Sequence, residues 1–181
     1  LGNEEQKKRI LPKVAAGELS FCFGLSEPQS GSDAAALMTR ADVTDGGDYV
    51  INGQKVFTSG MDISDYCLLA TRTENTDKKH EGITNFLVDT KLPGIDIQRI
   101  ATLGHRAIGT TQVFYSDVKV PADAVLGEVG EGWRALDTCL WYERLCLSAA
   151  RTGAAQAAFE GALEYAKTRE QFGQAIGKFQ I

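Results

Sequence analysis

The sequence contains no apolar run of about 18 residues, so nothing in it reads as a membrane-spanning helix. No charged leader followed by an apolar stretch marks a signal peptide. There is no Gly-x-Gly-x-x-Gly and no alternation of strand with helix, which argues against a dinucleotide-binding Rossmann domain. Histidine is limited to His80 and His105, and the four cysteines, Cys22, Cys67, Cys139 and Cys146, form no Cys-x-x-Cys pair. A zinc site therefore has no credible ligand set, and no metal is expected. Each cysteine stands among apolar neighbours, as small buried side chains do, and a reducing compartment is expected. The densest basic cluster, Lys7-Lys8-Arg9, reads as a solvated helix face. With a net charge of -5, nothing favours nucleic-acid binding.

What is present is ample apolar material. Of 181 residues, 43% are hydrophobic, enough for one core or for one domain plus part of another. The chain opens at Leu1 and stops at Ile181 without a terminating signal. An internal piece of a longer polypeptide is expected, so the missing targeting signal says little about the parent.

Residues 3–15 predict a helix. Asn3 can cap it, Glu4 and Glu5 suit its positive end, and Ile10, Leu11 and Val14 form a stripe. Pro12 predicts a break near Leu11, and Gly17 a stop. From residue 19 to 125 the pattern is of strands. Leu37, Ala41 and Val43 share one face, and Asp45-Gly46-Gly47-Asp48 is a turn. Asn52-Gly53 predicts a tight type I′ hairpin turn, with 54–59 as the return strand. Apolar runs at 66–70 and 86–88 read as strands covered on both sides, and 74–82 as a polar connection. Strands at 95–103 and 111–120 are interrupted by 104–109 and by Ser116-Asp117. Strands so spaced predict a sandwich or barrel. From Trp133 to about Arg169 the chain reads as one long helix, or two abutting ones, roughly 55 Å in length, part of a helical bundle. Gly173 can end it, and an amphipathic segment begins at Gln174.

The stretch 21–33, Phe-Cys-Phe-Gly-Leu-Ser-Glu-Pro-Gln-Ser-Gly-Ser-Asp, passes from an apolar strand into a polar loop. Pro28 biases Glu27 towards an extended conformation. Gly31 allows close backbone approach or a positive φ. Ser26, Ser30 and Ser32 offer hydroxyls, and free N–H groups in such a loop can hold an anion. Two readings stand: the lip of a ligand site, or a surface turn.

Five motifs in order carry a family resemblance across nearly the whole chain: Ser-Glu-Pro-Gln-Ser-Gly-Ser-Asp at 26–33, Ile-Asn-Gly-Gln-Lys-Val-Phe-Thr-Ser-Gly at 51–60, Phe-Tyr-Ser-Asp-Val-Lys-Val-Pro at 114–121, Val-Leu-Gly at 125–127 and Arg-Glu-Gln-Phe-Gly at 169–173. The chain resembles the FAD-dependent acyl-CoA dehydrogenases. The resemblance implies an α+β fold: residues 1–17 as the tail of an N-terminal helical domain, 18–125 as an antiparallel, β-barrel-like middle domain, and 126–181 as the start of a C-terminal helical bundle.

It also implies FAD as cofactor and an acyl-CoA thioester as substrate. Phe23, Leu25 and Ser26 then line the flavin ring, with Gly31 and Ser32 beside the phosphate-rich ligands. Phe57, Thr58 and Ser59 match a second flavin strand that reads Trp-Ile-Thr in most relatives. Phe57 keeps an aromatic face without the indole N–H, and Thr58 replaces an apolar residue. Arg169, Gln171 and Phe172 match residues that touch the FAD of a neighbouring subunit, which implies a homo-oligomer, usually a tetramer. Ser32, Tyr142 and Arg144 fall on the substrate side, and Asp33 braces its own loop. The implied reaction takes a proton from the α carbon and a hydride from the β carbon, electrons then passing to an electron-transfer flavoprotein. In most of the family the catalytic base lies downstream of this chain. In the isovaleryl- and long-chain-type branches it stands at the position of Glu143, which otherwise reads as an ordinary helix residue beside Arg144. An enoyl-CoA reductase, an acyl-CoA oxidase or a non-catalytic module binding flavin or CoA would fit the same fold. The expected location is the cytoplasm in a bacterium and the mitochondrial matrix in a eukaryote.

Overall fold

In the computed structural model, residues 2–179 are described. Leu1, Gln180 and Ile181 lie outside the described residues, and with them the ends of the first and last expected segments. Two compact units divide within one helix, after Leu136.

The first unit opens with α1, Glu4–Ala15, capped by Asn3. Asn3 and Gln6 exchange reciprocal bonds of 2.9 and 2.8 Å. Gln6 is buried, and its amide donates to the carbonyls of Asp123 and Val125 at 2.8 and 2.9 Å. The helix runs through Pro12 without the expected break. Pro12 sits in the last turn, so only one helical bond is lost, to the carbonyl of Lys8. Lys8 is exposed, and water can take that bond.

Seven strands follow: β1 Phe21–Gly24, β2 Arg40–Val43, β3 Tyr49–Ser59, β4 Tyr66–Arg72, β5 Ile83–Asp89, β6 Ile95–Ile100 and β7 Thr110–Val120. They form one sheet in the order β1-β4-β2-β3-β7-β6, with β5 also on β4. The antiparallel expectation holds for β2–β3, β3–β7, β4–β5 and β6–β7. It fails for β1 and β2 against β4, which are parallel, so the sheet is mixed. The reason is local. Phe21–Gly24 pair with residues 66–69, and Arg40 pairs with Arg72 further along β4. Residues 25–39 are thus a detour between two contacts with the same strand.

Two turn signals in the sequence are not turns. Asn52-Gly53 lies inside the unbroken β3, and Ser116-Asp117 inside β7. They sit opposite each other, where the register shifts between Ile51 and Gly53. One extra residue on β7 makes a bulge there, and Asp117 takes a φ of 52°. Gly53 is needed because a Cβ would lie 2.7 Å from the Thr39 Cα. The Asp45–Asp48 turn forms as expected, closed by Thr44 N–H to the Asp48 carbonyl at 2.7 Å. Val43 keeps the face of Ala41, as expected, opposite Tyr49 in a regular ladder, but at the last pair of β2 it is exposed while Ala41 is buried. The core of this unit gathers Ile51, Cys67, Leu69, Phe86, Val88, Val113 and Val118.

The long helix α2 is a single element, Gly132–Thr168. Its first turn is tied to β5, with the Asn85 amide donating to the Gly132 carbonyl at 3.0 Å. Along its length in the second unit, Cys139 and Cys146 are exposed, contrary to the expectation of four buried thiols, whereas Cys22 and Cys67 are buried. After α2, Glu170–Gln171 (β8) pairs with Gln174–Ala175 (β9). Gly173 is therefore not a helix stop. Phe172 and Gly173, with φ of 50° and 78°, are the two central residues of a type I′ hairpin turn. The segment expected to begin at Gln174 opens as a strand followed by a 3-10 turn, Ile176–Lys178.

Candidate functional site

The detour of residues 25–39 brings the end of β1 beside the end of β3. The Val56 N–H donates to the Ser26 carbonyl at 2.9 Å. Two candidate segments, 23–26 and 57–59, thus lie side by side at one rim of the sheet.

A bulge decides which β3 side chains face outward. Strand periodicity from Tyr49 and Ile51 assigns Gly53 and Lys55 to the inner face. A regular strand would also turn Phe57 inward. Instead the register shifts between Val56 and Thr58, and Phe57 is the extra residue, at φ 58°. A positive φ at an aromatic residue is an outlier that surrounding structure must hold. The bulge exchanges the faces: Phe57 is 65% exposed, Thr58 is buried, and Ser59 is exposed. Thr58 accepts a bond from Thr111 Oγ1 at 2.7 Å through its carbonyl, while its own buried Oγ1 has no partner among the described residues.

The loop is held from within by a buried ion pair. Glu27 Oε1 lies 2.7 Å from Lys55 Nζ, with side-chain exposures of 2% and 0%. The same carboxylate accepts from the backbone of Met38 at 2.7 Å and of Thr39 at 2.9 Å, and from Gln29 Nε2 at 2.6 Å. Lys55 also donates to the Leu25 carbonyl at 3.0 Å. Burial works to raise the Glu27 pKa, but the Lys55 charge and the hydrogen bonds outweigh it and hold the group below its usual range. Burial pushes Lys55 below its usual range, with Glu27 opposing. A carboxylate with four donors is ionised, and the pair is one of charges. Sequence reasoning missed this pair, although the inward parity of Lys55 was a usable signal.

The loop serines differ in state. Ser30 is buried and donates to the Asp33 carbonyl at 2.7 Å. Ser26, Ser32 and Ser59 hydroxyls have no partner among the described residues. Asp33 braces the loop through its backbone, while its carboxylate pairs with Lys79 at 2.8 Å. Gly31 has neither a positive φ nor a crowded Cβ position. Neither expected backbone role is therefore met within the fold, since a Cβ there would have no neighbour within 4 Å among the described residues. Arg72 ties the loop to the 74–82 connection, donating to the carbonyls of Ala35, Leu37, Lys79 and Glu81.

The remaining candidates lie in the second unit. Tyr142, Glu143 and Arg144 are consecutive exposed residues of α2. Arg169, Gln171 and Phe172 are exposed at the β8–β9 hairpin, Phe172 at 95%. Phe172 meets the Phe179 ring edge-on at 6.1 Å between centroids.

The site in the first unit offers an aromatic face at Phe57, half-buried apolar groups at Phe23 and Leu25, and unused donors at Ser26 and Ser59. That set suits a flat heteroaromatic ring with a polar edge, as a flavin has. A mixed sheet leading into a long helix is the α+β architecture of the acyl-CoA dehydrogenase middle domain and of the start of its helical C-terminal domain. The chain belongs to the acyl-CoA dehydrogenase family. Its residues 22–118 match the family's middle domain and 130–181 its C-terminal domain.

Among relatives, it is 46% identical over 149 residues to the acyl-CoA dehydrogenase FadE29 of Mycobacterium tuberculosis, covering 82% of this chain and 38% of that protein. It is 36% identical over 181 residues to the 3-(aryl)acrylate reductase of Clostridium sporogenes, covering 99% and 48%. Among solved structures, the butyryl-CoA dehydrogenase of Megasphaera elsdenii superposes with a TM-score of 0.90 at 34% identity, covering 98% and 46%. The chain thus spans less than half the length of these relatives. Among the described residues no helix is long and apolar enough to cross a membrane, and no cluster of metal-ligating side chains occurs.

Proposed function

We propose that this chain is the central part of an FAD-dependent acyl-CoA dehydrogenase. The observation that carries the reading is the rim formed by Ser26 and the Phe57–Ser59 bulge, with its exposed aromatic ring and unpartnered donors. FAD fits these residues by the chemistry of the donor set. Ser26 and Ser59 would hold its ring edge, with Phe23, Leu25 and Phe57 along its faces and Gly31 and Ser32 towards the phosphates. When bound, FAD supplies a hydride acceptor. The chain's own donors preorganise the site for negative charge on the ring.

In this reading Glu143 takes the α proton of the acyl-CoA thioester, whose acidity rises when its carbonyl accepts hydrogen bonds. Ser32, Tyr142 and Arg144 hold the substrate's CoA side. Arg169, Gln171 and Phe172 reach the FAD of a neighbouring copy in a homotetramer, Arg169 through a fork that matches phosphate oxygens. Electrons pass on to an electron-transfer flavoprotein. A second reading is supported by the similarity to the 3-(aryl)acrylate reductase: the same site run in the direction of double-bond reduction.

The test uses the full-length protein. Its flavin absorbance should bleach on anaerobic addition of a saturated acyl-CoA. Bleaching by no acyl-CoA, with flavin bound, refutes the dehydrogenase reading, and reoxidation by an enoyl-CoA alone favours the reductase. Glu143→Gln should abolish bleaching while FAD stays bound, and retained reduction would remove Glu143 from its role.

A further inference from the structure

Lys55 is an unusual side chain to find wholly buried, because an ammonium loses its hydration there. Its pairing with Glu27 accounts for the charge. It does not account for the second bond, from Nζ to the Leu25 carbonyl at 3.0 Å. That carbonyl belongs to the peptide that joins two of the candidate ring-lining residues. No peptide of the described chain is cis. In a trans peptide the C=O of one residue and the N–H of the next point in opposite directions. Drawing the Leu25 carbonyl inward onto Lys55 therefore turns the Ser26 N–H away from the core, towards the rim. The following carbonyl, of Ser26, is fixed by Val56 N–H at 2.9 Å. Both flanks of Ser26 are thus pinned, and its N–H has no acceptor among the described residues. An N–H turned to the rim without a protein acceptor is left for a ligand or for water.

We infer that Lys55 is a positioning residue for the proposed ligand site: by holding the Leu25 carbonyl inward it aims the Ser26 N–H at the ring edge. The inference rests on the flavin reading. Glu27 then has a supporting part, keeping the ammonium charged and anchored to residues 38 and 39. The arrangement separates two tasks within one pair. Glu27 closes the loop, and Lys55 sets the direction of a peptide that touches the ligand.

The experiment compares full-length parent protein, Glu27→Gln, and the double variant Lys55→Met/Glu27→Gln. Glu27→Gln keeps an amine on the Leu25 carbonyl. The double variant frees that carbonyl without leaving a buried charge, a replacement that is often tolerated. Each is stripped of flavin, its melting temperature measured, and FAD titrated back. The double variant is expected to melt near the parent but to bind FAD about tenfold more weakly, the worth of one lost hydrogen bond, and to show a shifted flavin absorption band. Glu27→Gln should stay within about threefold of the parent.

A folded double variant with parental FAD affinity and spectrum overturns the inference and leaves Lys55 a structural residue. Should the double variant not fold, a crystal structure of the FAD-loaded parent decides. Ser26 N within about 3.2 Å of a ring acceptor supports the inference, and a Ser26 N–H bonded inside the protein overturns it. A parent that binds no FAD refutes the flavin reading itself, a separate result.

Discussion

Asn52 and Asp117 clasp each other across the β3–β7 pair. The Asn52 amide donates to Asp117 Oδ1 at 3.0 Å, and the Asp117 N–H donates to Asn52 Oδ1 at 2.8 Å. The clasp closes over the bulge at which Asp117 adopts a positive φ. Asn52→Ala removes both bonds from an exposed site and should cost about 1–2 kcal/mol. Urea unfolding of the full-length protein measures it. A loss below about 0.3 kcal/mol would mean that the bulge is held by Gly53 and the ladder alone.

Thr58→Val should stabilise. The buried Thr58 hydroxyl lacks a partner, and an unsatisfied buried hydroxyl costs about 1–3 kcal/mol. Valine keeps the shape without the hydroxyl. The melting temperature of the apoprotein should rise, by about 2–4 °C for each kcal/mol gained. A fall would show that the hydroxyl has a partner, such as bound water.

Phe57→Gly separates fold from function. Glycine accepts φ 58° without strain, and the Phe57 ring is 65% exposed. Relief of about 1–3 kcal/mol of strain exceeds the entropic cost of glycine. Stability should therefore hold or rise by up to about 1 kcal/mol, while FAD affinity falls. A destabilised variant that binds FAD as tightly as the parent would contradict both halves.

Acid should expose the Glu27–Lys55 pair. The Glu27 pKa is held below its ordinary value of 4.5, so its contribution is fully present above that value and is lost as pH falls through the folded value. Unfolding free energy should decline between about pH 5 and about pH 3, and Glu27→Gln should remove part of that slope. Equal slopes in parent and variant would assign the acid sensitivity to other carboxylates. Lys55→Met alone strands the carboxylate and should cost about 3–5 kcal/mol at neutral pH.

Strand positions and the long helix were legible because their apolar spacing is regular. The parity that buries Tyr49 and Ile51 also buries Lys55, so even the ion pair was readable in principle. The turn signals misled for one reason. Asn, Gly and Asp mark positive φ, which bulges need as much as turns do. Asn52-Gly53 with Ser116-Asp117 made one bulge, while Phe172-Gly173, with a single glycine, made a true turn. Pro12 misled because its cost depends on its place in the helix, and the last turn forgives it. The outward aim of Phe57 was not legible, since one unpaired residue reverses the faces and leaves no mark in composition.

The mixed pairing of β1 has a consequence in time. Phe21 and Tyr66 are direct partners although many residues, including all of β2 and β3, lie between them. Closing so long a loop is entropically expensive until the local β2–β3 and β4–β5 pairs exist to receive the strand. The rim at Ser26 should accordingly be among the last parts of the sheet to form. In pulse-labelled hydrogen exchange during refolding, amides of β4 and β5 should gain protection before those of 21–26. Simultaneous protection would place β1 in the folding nucleus instead.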